Sequence, residues 1–240
     1  MTTILINDDC LKAMQDLEED SIDLLFCDLP YGILKCGWDC PINLEEFWTQ
    51  ANRVCKDTTP MIFTCTTKFG HELINSNPKN FRYDLVWIKS NSTGFLNARE
   101  QPLRKHEMVY VFYRRVPKRY SINIDIHHKK TGKISSNTSS NTESYAYGRL
   151  RYKNNSKYEP RLPHSLLEFP VERGLHPTQK PVGLMGWFIQ YFTKVGDVVL
   201  DPTMGSGSTG VACQNMNRKF IGIEQDPGIF TVAQTRLNNT

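Results

Sequence analysis

Val198-Val199-Leu200-Asp201-Pro202-Thr203-Met204-Gly205-Ser206-Gly207-Ser208-Thr209 is the stretch on which the fold turns. Its apolar opening is strand-like, proline and two glycines interrupt it, and helical spacing follows over about 207–216. A glycine turn between a strand and a helix lets a ligand approach backbone amides that no Cβ shields. The turn lacks the lysine of a phosphate-binding loop, which argues against a triphosphate cradle. Roughly twenty residues on, Glu224 ends the next predicted strand, Phe220 to Ile223, placed to bind two ribose hydroxyls. Alone, the turn reads as a tight loop and Glu224 as a surface charge; together they read as a cofactor site.

Outward from this stretch the chain alternates. A last helix is predicted at 227–237, and upstream a helix begun by Pro181 carries Leu184, Met185, Phe188, Ile189 and Phe192 on one face. In the amino-terminal half, Ile4-Leu5-Ile6 is a strand, and Asn7-Asp8-Asp9 can cap a helix with Leu11, Met14 and Leu17. Ile22 to Cys27 is a second strand. A helix at 43–55, a strand at Met61 to Cys65, a helix at 67–75 and strands at Tyr83 to Ile88 and Met108 to Tyr113 complete the pattern. This predicts an α/β, Rossmann-like fold, a mostly parallel sheet with helices on both faces and no internal repeat. From about 115 to 170 the periodicity fails, and Ile134 to Ser144 is too rich in Ser, Asn and Thr to pack. The expected organisation is therefore 1–114, an insert at 115–170, and 171–240.

At 240 residues, with 39% hydrophobic and 22% charged residues, the chain can bury one α/β core plus an insertion without staples. Apolar runs are strand-sized and the first residues do not form a secretory leader, so a cytoplasmic, nucleoid-associated protein is expected. The odd number of cysteines, seven, suits reduced thiols. Cys36 and Cys40 are the only pair close enough to share a metal, and with no second pair at zinc spacing they read as loop thiols; His127-His128 reads as solvated surface, and no metal is expected. Charge is uneven: residues 114–161 hold twelve Lys and Arg against three acids, +9 locally where the whole chain is +4. That asymmetry is expected of a nucleic-acid binder, with Arg114, Arg115, Lys118, Arg149, Arg151 and Lys153 as the candidate DNA contacts.

Asp28-Leu29-Pro30-Tyr31-Gly32 follows the second strand, at the end where open α/β sheets place ligands. An acceptor side chain, a rigid proline and an aromatic ring suit a base turned out of a duplex, which needs acceptors for its amino hydrogens and a surface to stack on. The bland alternative is a strand followed by a turn.

These residues resemble the amino-methyltransferases of DNA, whose signature is Asp-Pro-Pro-Tyr with a glycine-rich cofactor turn. The order here, tetrad at 28–31, basic insert, then cofactor turn, resembles the circularly permuted beta class, as do His176-Pro177-Thr178-Gln179-Lys180-Pro181 and Asp8-Asp9-Cys10-Leu11. The resemblance implies methyl transfer from S-adenosylmethionine to an exocyclic amine of double-stranded DNA. Adenine N6 leads because position 28 is Asp; cytosine N4, whose enzymes usually begin the tetrad with Ser, is the runner-up, and an inactive DNA-binding subunit is a third reading. It implies that Asp28 and the Leu29 carbonyl hold the target amine, with Pro30 between them and Tyr31, which stacks on the base. It further implies that Asp9, with Cys10 beside it, meets the cofactor's adenine and Glu224 its ribose. Asp201, Pro202, Thr203, Gly205, Ser206, Gly207 and Ser208 would surround the methionine part, with Lys180 near that end. A cognate restriction endonuclease and a homodimer are compatible with the resemblance. Two residues depart from it: Leu29 replaces the first proline, and Thr203 replaces an aromatic, removing an apolar contact with the cofactor.

Overall fold

The computed structural model describes residues 2–30, 41–120, 142–144, 148–150, 163–172, 174 and 179–239. The chain forms two compact units, one of Met1–Ser121 with His164–Thr240 and one of Ile122–Pro163. Their strands are β1 (Thr3–Ile6), β2 (Leu24–Cys27), β3 (Met61–Cys65), β4 (Phe81–Thr93), β5 (Arg104–Phe112), β6 (Thr142–Ser144), β7 (Gly148–Leu150), β8 (Leu166–Glu168), β9 (Val198–Asp201) and β10 (Lys219–Ile223). The helices are α1 (Cys10–Gln15), α2 (Leu44–Val54), α3 (Thr67–Ser76), α4 (Val182–Phe192), α5 (Ser208–Asn215) and α6 (Pro227–Asn238).

In the first unit an eight-stranded sheet has the order β1-β10-β9-β2-β3-β5-β4-β8. β1, β10, β9, β2 and β3 run parallel, β5 is antiparallel to β3 and β4, and β8 is parallel to β4. The Rossmann-like α/β expectation holds, with β5 as the reversed strand. The chain leaves β9 toward β10 and leaves β2 toward β3, so the sheet order reverses between β9 and β2. That switch point is where open sheets leave a crevice at the carboxyl ends of the strands.

Strand alternation builds both faces. On one, Leu25, Cys27, Met61 and Phe63 meet α1, α2 and α3 in a single apolar cluster. Trp48 and Phe112 sit 5.1 Å apart there, and Phe63 and Phe112 5.4 Å apart edge to face. On the other, Phe26 meets Phe188 of α4 at 6.0 Å. α4 starts one residue after Pro181, which has no side-chain acceptor to cap it; the Glu172 carboxylate takes the Val182 amide at 3.0 Å instead.

β8 lies within the stretch assigned to the insert from sequence, yet it pairs with β4 through Val86↔Leu166, Trp87↔Leu167 and Ile88↔Glu168. Its three residues are too few to show a period of two. The second unit contains the antiparallel pair β6–β7, registered Glu143↔Arg149. A hairpin ladder is satisfied by backbone alone, so β6 forms inside a polar run that carries no apolar alternation. Among the described residues no helix is long and apolar enough to cross a membrane.

Candidate active site

Above the carboxyl ends of β1, β10, β9, β2 and β3, the first unit holds a cavity of about 900 Å³. Its walls combine Asp9, Cys10, Asp201 to Ser206, Ser208 and Glu224 with Asp28, Leu29, Pro30, Lys89, Glu107 and Lys180. Both constellations read from sequence therefore face one space. Tyr31, Arg151 and Lys153, together with Cys36, Cys40 and His127-His128, lie outside the described residues.

At one end the glycine turn is knitted by its own neighbours. Asp201 Oδ1 accepts from the Thr203 amide at 3.1 Å and Oδ2 from the Thr209 hydroxyl at 2.5 Å. Burial pushes the Asp201 carboxyl up to about 7, against the pull of those hydrogen bonds. Gly205 (φ +52°) has nothing within 4 Å of where a Cβ would sit, so it leaves the backbone open to a ligand. Gly207 (φ +78°) serves a different need and is absent from the cavity wall: a Cβ there would meet Leu237 of α6 at 3.2 Å. Glu224 accepts from the amides of Gly205, 3.1 Å, and Asp226, 2.9 Å, and burial raises its carboxyl above the usual range. Asp9 Oδ1 caps α1 through Leu11 and Lys12, which fixes the carboxylate at the cavity wall. Gln179 lines the same space and leaves Oε1 without a donor among the described residues.

The other end is an alternating chain of charge. Asp28 Oδ1 accepts from Thr64 Oγ1 at 2.6 Å, and its Oδ2 accepts from Lys180 Nζ. Lys180 Nζ is also 3.3 Å from Glu107 Oε1, and Glu107 Oε2 is 2.5 Å from Lys89 Nζ. Burial disfavours the Lys180 ammonium, but the Asp28 and Glu107 carboxylates overcome it and hold Lys180 above the ordinary lysine value. Burial likewise opposes charge on Glu107, and the two lysines hold that carboxyl below its usual range. Lys180, expected near the cofactor's methionine end, is thus bonded to Asp28.

Both departures from the resembled pattern acquire physical reasons. Leu29 is 2% exposed and anchors the loop in the core, the stiffening a proline would otherwise give. Thr203 Oγ1 accepts the Asp28 amide at 3.1 Å and touches Cys27 Sγ at 3.4 Å, so it stitches the end of β2 to the glycine turn. Burial, with the Asp201 charge adding to it, drives the Cys27 thiol well above its normal range and leaves it no thiolate to act as nucleophile.

The candidate DNA contacts divide. Arg114 donates to the Cys55 carbonyl and pairs with Asp57 at 3.3 Å, and Arg115 pairs with the same carboxylate at 3.3 Å. Both follow the end of β5 that sits beside Met61, the start of β3, so they lie at the sheet edge opposite the cavity. Lys118 lines a separate cavity of about 260 Å³ with Asp23 and Asp197. These three clamp or flank that far edge and are not brought together with Asp28. Arg149 is in β7 of the other unit. Lys89, Glu107 and Thr64 were missed from sequence; the signal that could have found Glu107 and Lys89 is a pair of opposite charges next to the apolar cores of two strands.

The model of the N6/N4 methyltransferase family, described as DNA methylase, matches residues 22–235. The chain belongs to this DNA methylase family. It is 26% identical to the type II methyltransferase M.HpaI of Haemophilus parainfluenzae, across 98% of this chain and 74% of that protein. It is 27% identical to the type II methyltransferase M2.DpnII of Streptococcus pneumoniae, across 98% of this chain and 89% of that one. Among solved structures its fold resembles the M1.HpyAVI–SAM complex (TM-score 0.64, 22% identity, 98% of this chain and 100% of that one). It also resembles the cytosine-N4-specific PvuII DNA methyltransferase (TM-score 0.70, 16% identity, 98% and 86%). As a DNA methylase the protein acts on DNA, and the cavity that joins Asp28 to the glycine turn is its candidate active site.

Proposed function

We propose that this DNA methylase transfers a methyl group from S-adenosylmethionine to adenine N6 in duplex DNA, in the circularly permuted order of the beta class. The observation that carries the reading is that the Asp28–Pro30 loop and the Asp201–Ser206 turn with Glu224 line one cavity. The residues suit the cofactor: Gly205 leaves its backbone open and Glu224 offers a carboxylate to ribose hydroxyls. When bound, S-adenosylmethionine supplies an electrophilic methyl group.

The chain's own part is to make a poor nucleophile react. An exocyclic amine shares its lone pair with the ring. Asp28 and the Leu29 carbonyl accept its two hydrogens and hold the nitrogen pyramidal, which returns the lone pair to it. Positive charge grows on that nitrogen as the bond forms, and Asp28 stabilises it. Lys180 beside Asp28 would cancel this effect; Glu107, within 3.3 Å of Lys180, offsets the ammonium and leaves the carboxylate's field for the amine. Lys89, on the other oxygen of Glu107, helps keep that carboxylate ionised. Tyr31 supplies the stacking surface for the base.

Adenine rests on Asp at position 28. The fold is shared with a cytosine-N4-specific enzyme and does not choose the base. An inactive DNA-binding subunit would have no need of Asp28 and Glu224 facing one cavity. The basic residues of Ile122–Pro163, among them Arg149, Arg151 and Lys153, are the proposed readers of sequence. A cognate restriction endonuclease fits the type II names of the relatives. The test is mass spectrometry of nucleosides from DNA methylated by the protein, with single-molecule sequencing to give the context. N6-methyladenine at a fixed short sequence is expected; N4-methylcytosine overturns the choice of base, and no methylation overturns the activity.

A further inference from the structure

β4 and β5 run past the carboxyl edge of the sheet. Beyond the bulge between Ile88 and Thr93, the pair Thr93↔Arg104 closes a hairpin. Asn91, Thr93, Arg104 and His106 of this hairpin belong to the cavity wall, so it stands at the mouth of the active site. Its tip is ordered: Gly94 turns the chain at φ +91°, Phe95–Asn97 form one 3-10 turn, and the Asn97 carbonyl accepts the amides of Glu100 and Gln101.

That ordered tip presents its two largest apolar side chains to solvent, Phe95 at 68% and Leu96 at 102% exposure. Cations flank the pair: Arg99 follows it and Arg104 and Lys105 return toward the sheet, against the single acid Glu100. Apolar side chains held proud on a basic, hydrogen-bonded tip suit a polyanion whose interior is apolar, namely the stacked bases of duplex DNA.

We propose that the β4–β5 tip is a DNA wedge: Phe95 and Leu96 enter the base stack beside the target and occupy the space it vacates, while Arg99 and Lys105 hold the flanking phosphates. This rests on the reading that the target base leaves the duplex to reach Asp28. A base turned out leaves a gap that costs stacking, and an apolar filler lowers the cost of the turned-out state. Both side chains are exposed, so their removal spares the core.

The experiment compares wild type with F95A/L96A on the duplex mapped by methylome sequencing, in three forms: fully paired, mismatched at the target, and carrying 2-aminopurine there. The double variant is expected to lose about 30-fold in kcat/KM on the paired duplex and less than about threefold on the mismatched one, where the base is already unstacked. The 2-aminopurine fluorescence rise seen with wild type falls, and cofactor affinity is unchanged. R99A and K105A each lessen the salt dependence of binding by about one unit of slope. Equal losses on paired and mismatched duplexes, or none on either, overturn the wedge. Should wild type itself leave DNA unmethylated, the methylation reading fails first and the wedge with it.

Discussion

At the glycine-turn end of the cavity, the proposed cofactor end, the turn's hydrogen bonds span 2, 8 and 19 residues, from Thr203 to Asp201, Thr209 to Asp201 and Gly205 to Glu224. At the target end Asp28 is held by partners 36, 152 and 175 residues away, Thr64, Lys180 and Thr203. One end is a local motif that folds its own shape; the other is a junction where strands and a loop from across the chain deliver charge to one carboxylate. The local end should therefore tolerate distant substitutions and fail to direct ones. The junction should fail piecemeal, through residues that never touch the cofactor.

The largest effect expected follows from removing the junction's centre. Asp28→Ala should slow methyl transfer by about 10³-fold, the scale for loss of one group that stabilises developing charge, while cofactor affinity stays within a few-fold. Single-turnover rates with calorimetric cofactor titration test this, and a matching loss of both would erase the distinction between the two ends.

A smaller loss should follow from Glu107→Gln, which keeps the shape and leaves Lys180 facing Asp28 without its second carboxylate. The chemical step should slow on the order of tenfold, about 1.4 kcal/mol in the barrier, with cofactor binding little changed. An unaltered single-turnover rate would show that Lys180 does not weaken Asp28.

Thr203→Val keeps the volume and removes the hydroxyl between the two ends. Leaving the Asp28 amide without its acceptor should cost about 1 kcal/mol of stability and lower kcat more than cofactor affinity. Denaturant midpoints and kcat together check it; a fall in affinity alone would place Thr203 wholly at the cofactor end.

The last expected effect concerns pH and is read in stability, not in rate. Folded Asp201 keeps its proton to about 7, whereas the unfolded chain releases it near 4. Between those values the folded state binds more protons, so this group's contribution to stability declines as pH rises from about 4 to about 7 and is flat above. Asp201→Asn keeps an acceptor for the Thr203 amide and cannot ionise, so its melting temperature should lack that share of the decline. Parallel melting curves for the two proteins from pH 4.5 to 8 would remove Asp201 as the source.

The sequence by itself determined the alternation of strands and helices, the glycine turn with Glu224, and the loop at Asp28. Each is written in contiguous residues: hydrophobic period, breakers, caps and short spacings act over a few turns of chain. Asp9 capping α1 and Pro202 ending β9 are of this kind. What only the tertiary structure decided is which distant residues share a space. Strand order put β9 beside β2, and so Thr203 against Asp28. The reversed strand β5 put Glu107 opposite Trp87 and within reach of Lys89 and Lys180. The same pairing sent Arg114 and Arg115 to the far edge, where both pair with Asp57. Charge counted along the chain could not see this, because a net of +9 over a segment says nothing of the edge on which each side chain emerges. Side-chain electrostatics depends on distance in space, and only sheet order and register convert positions in sequence into such distances.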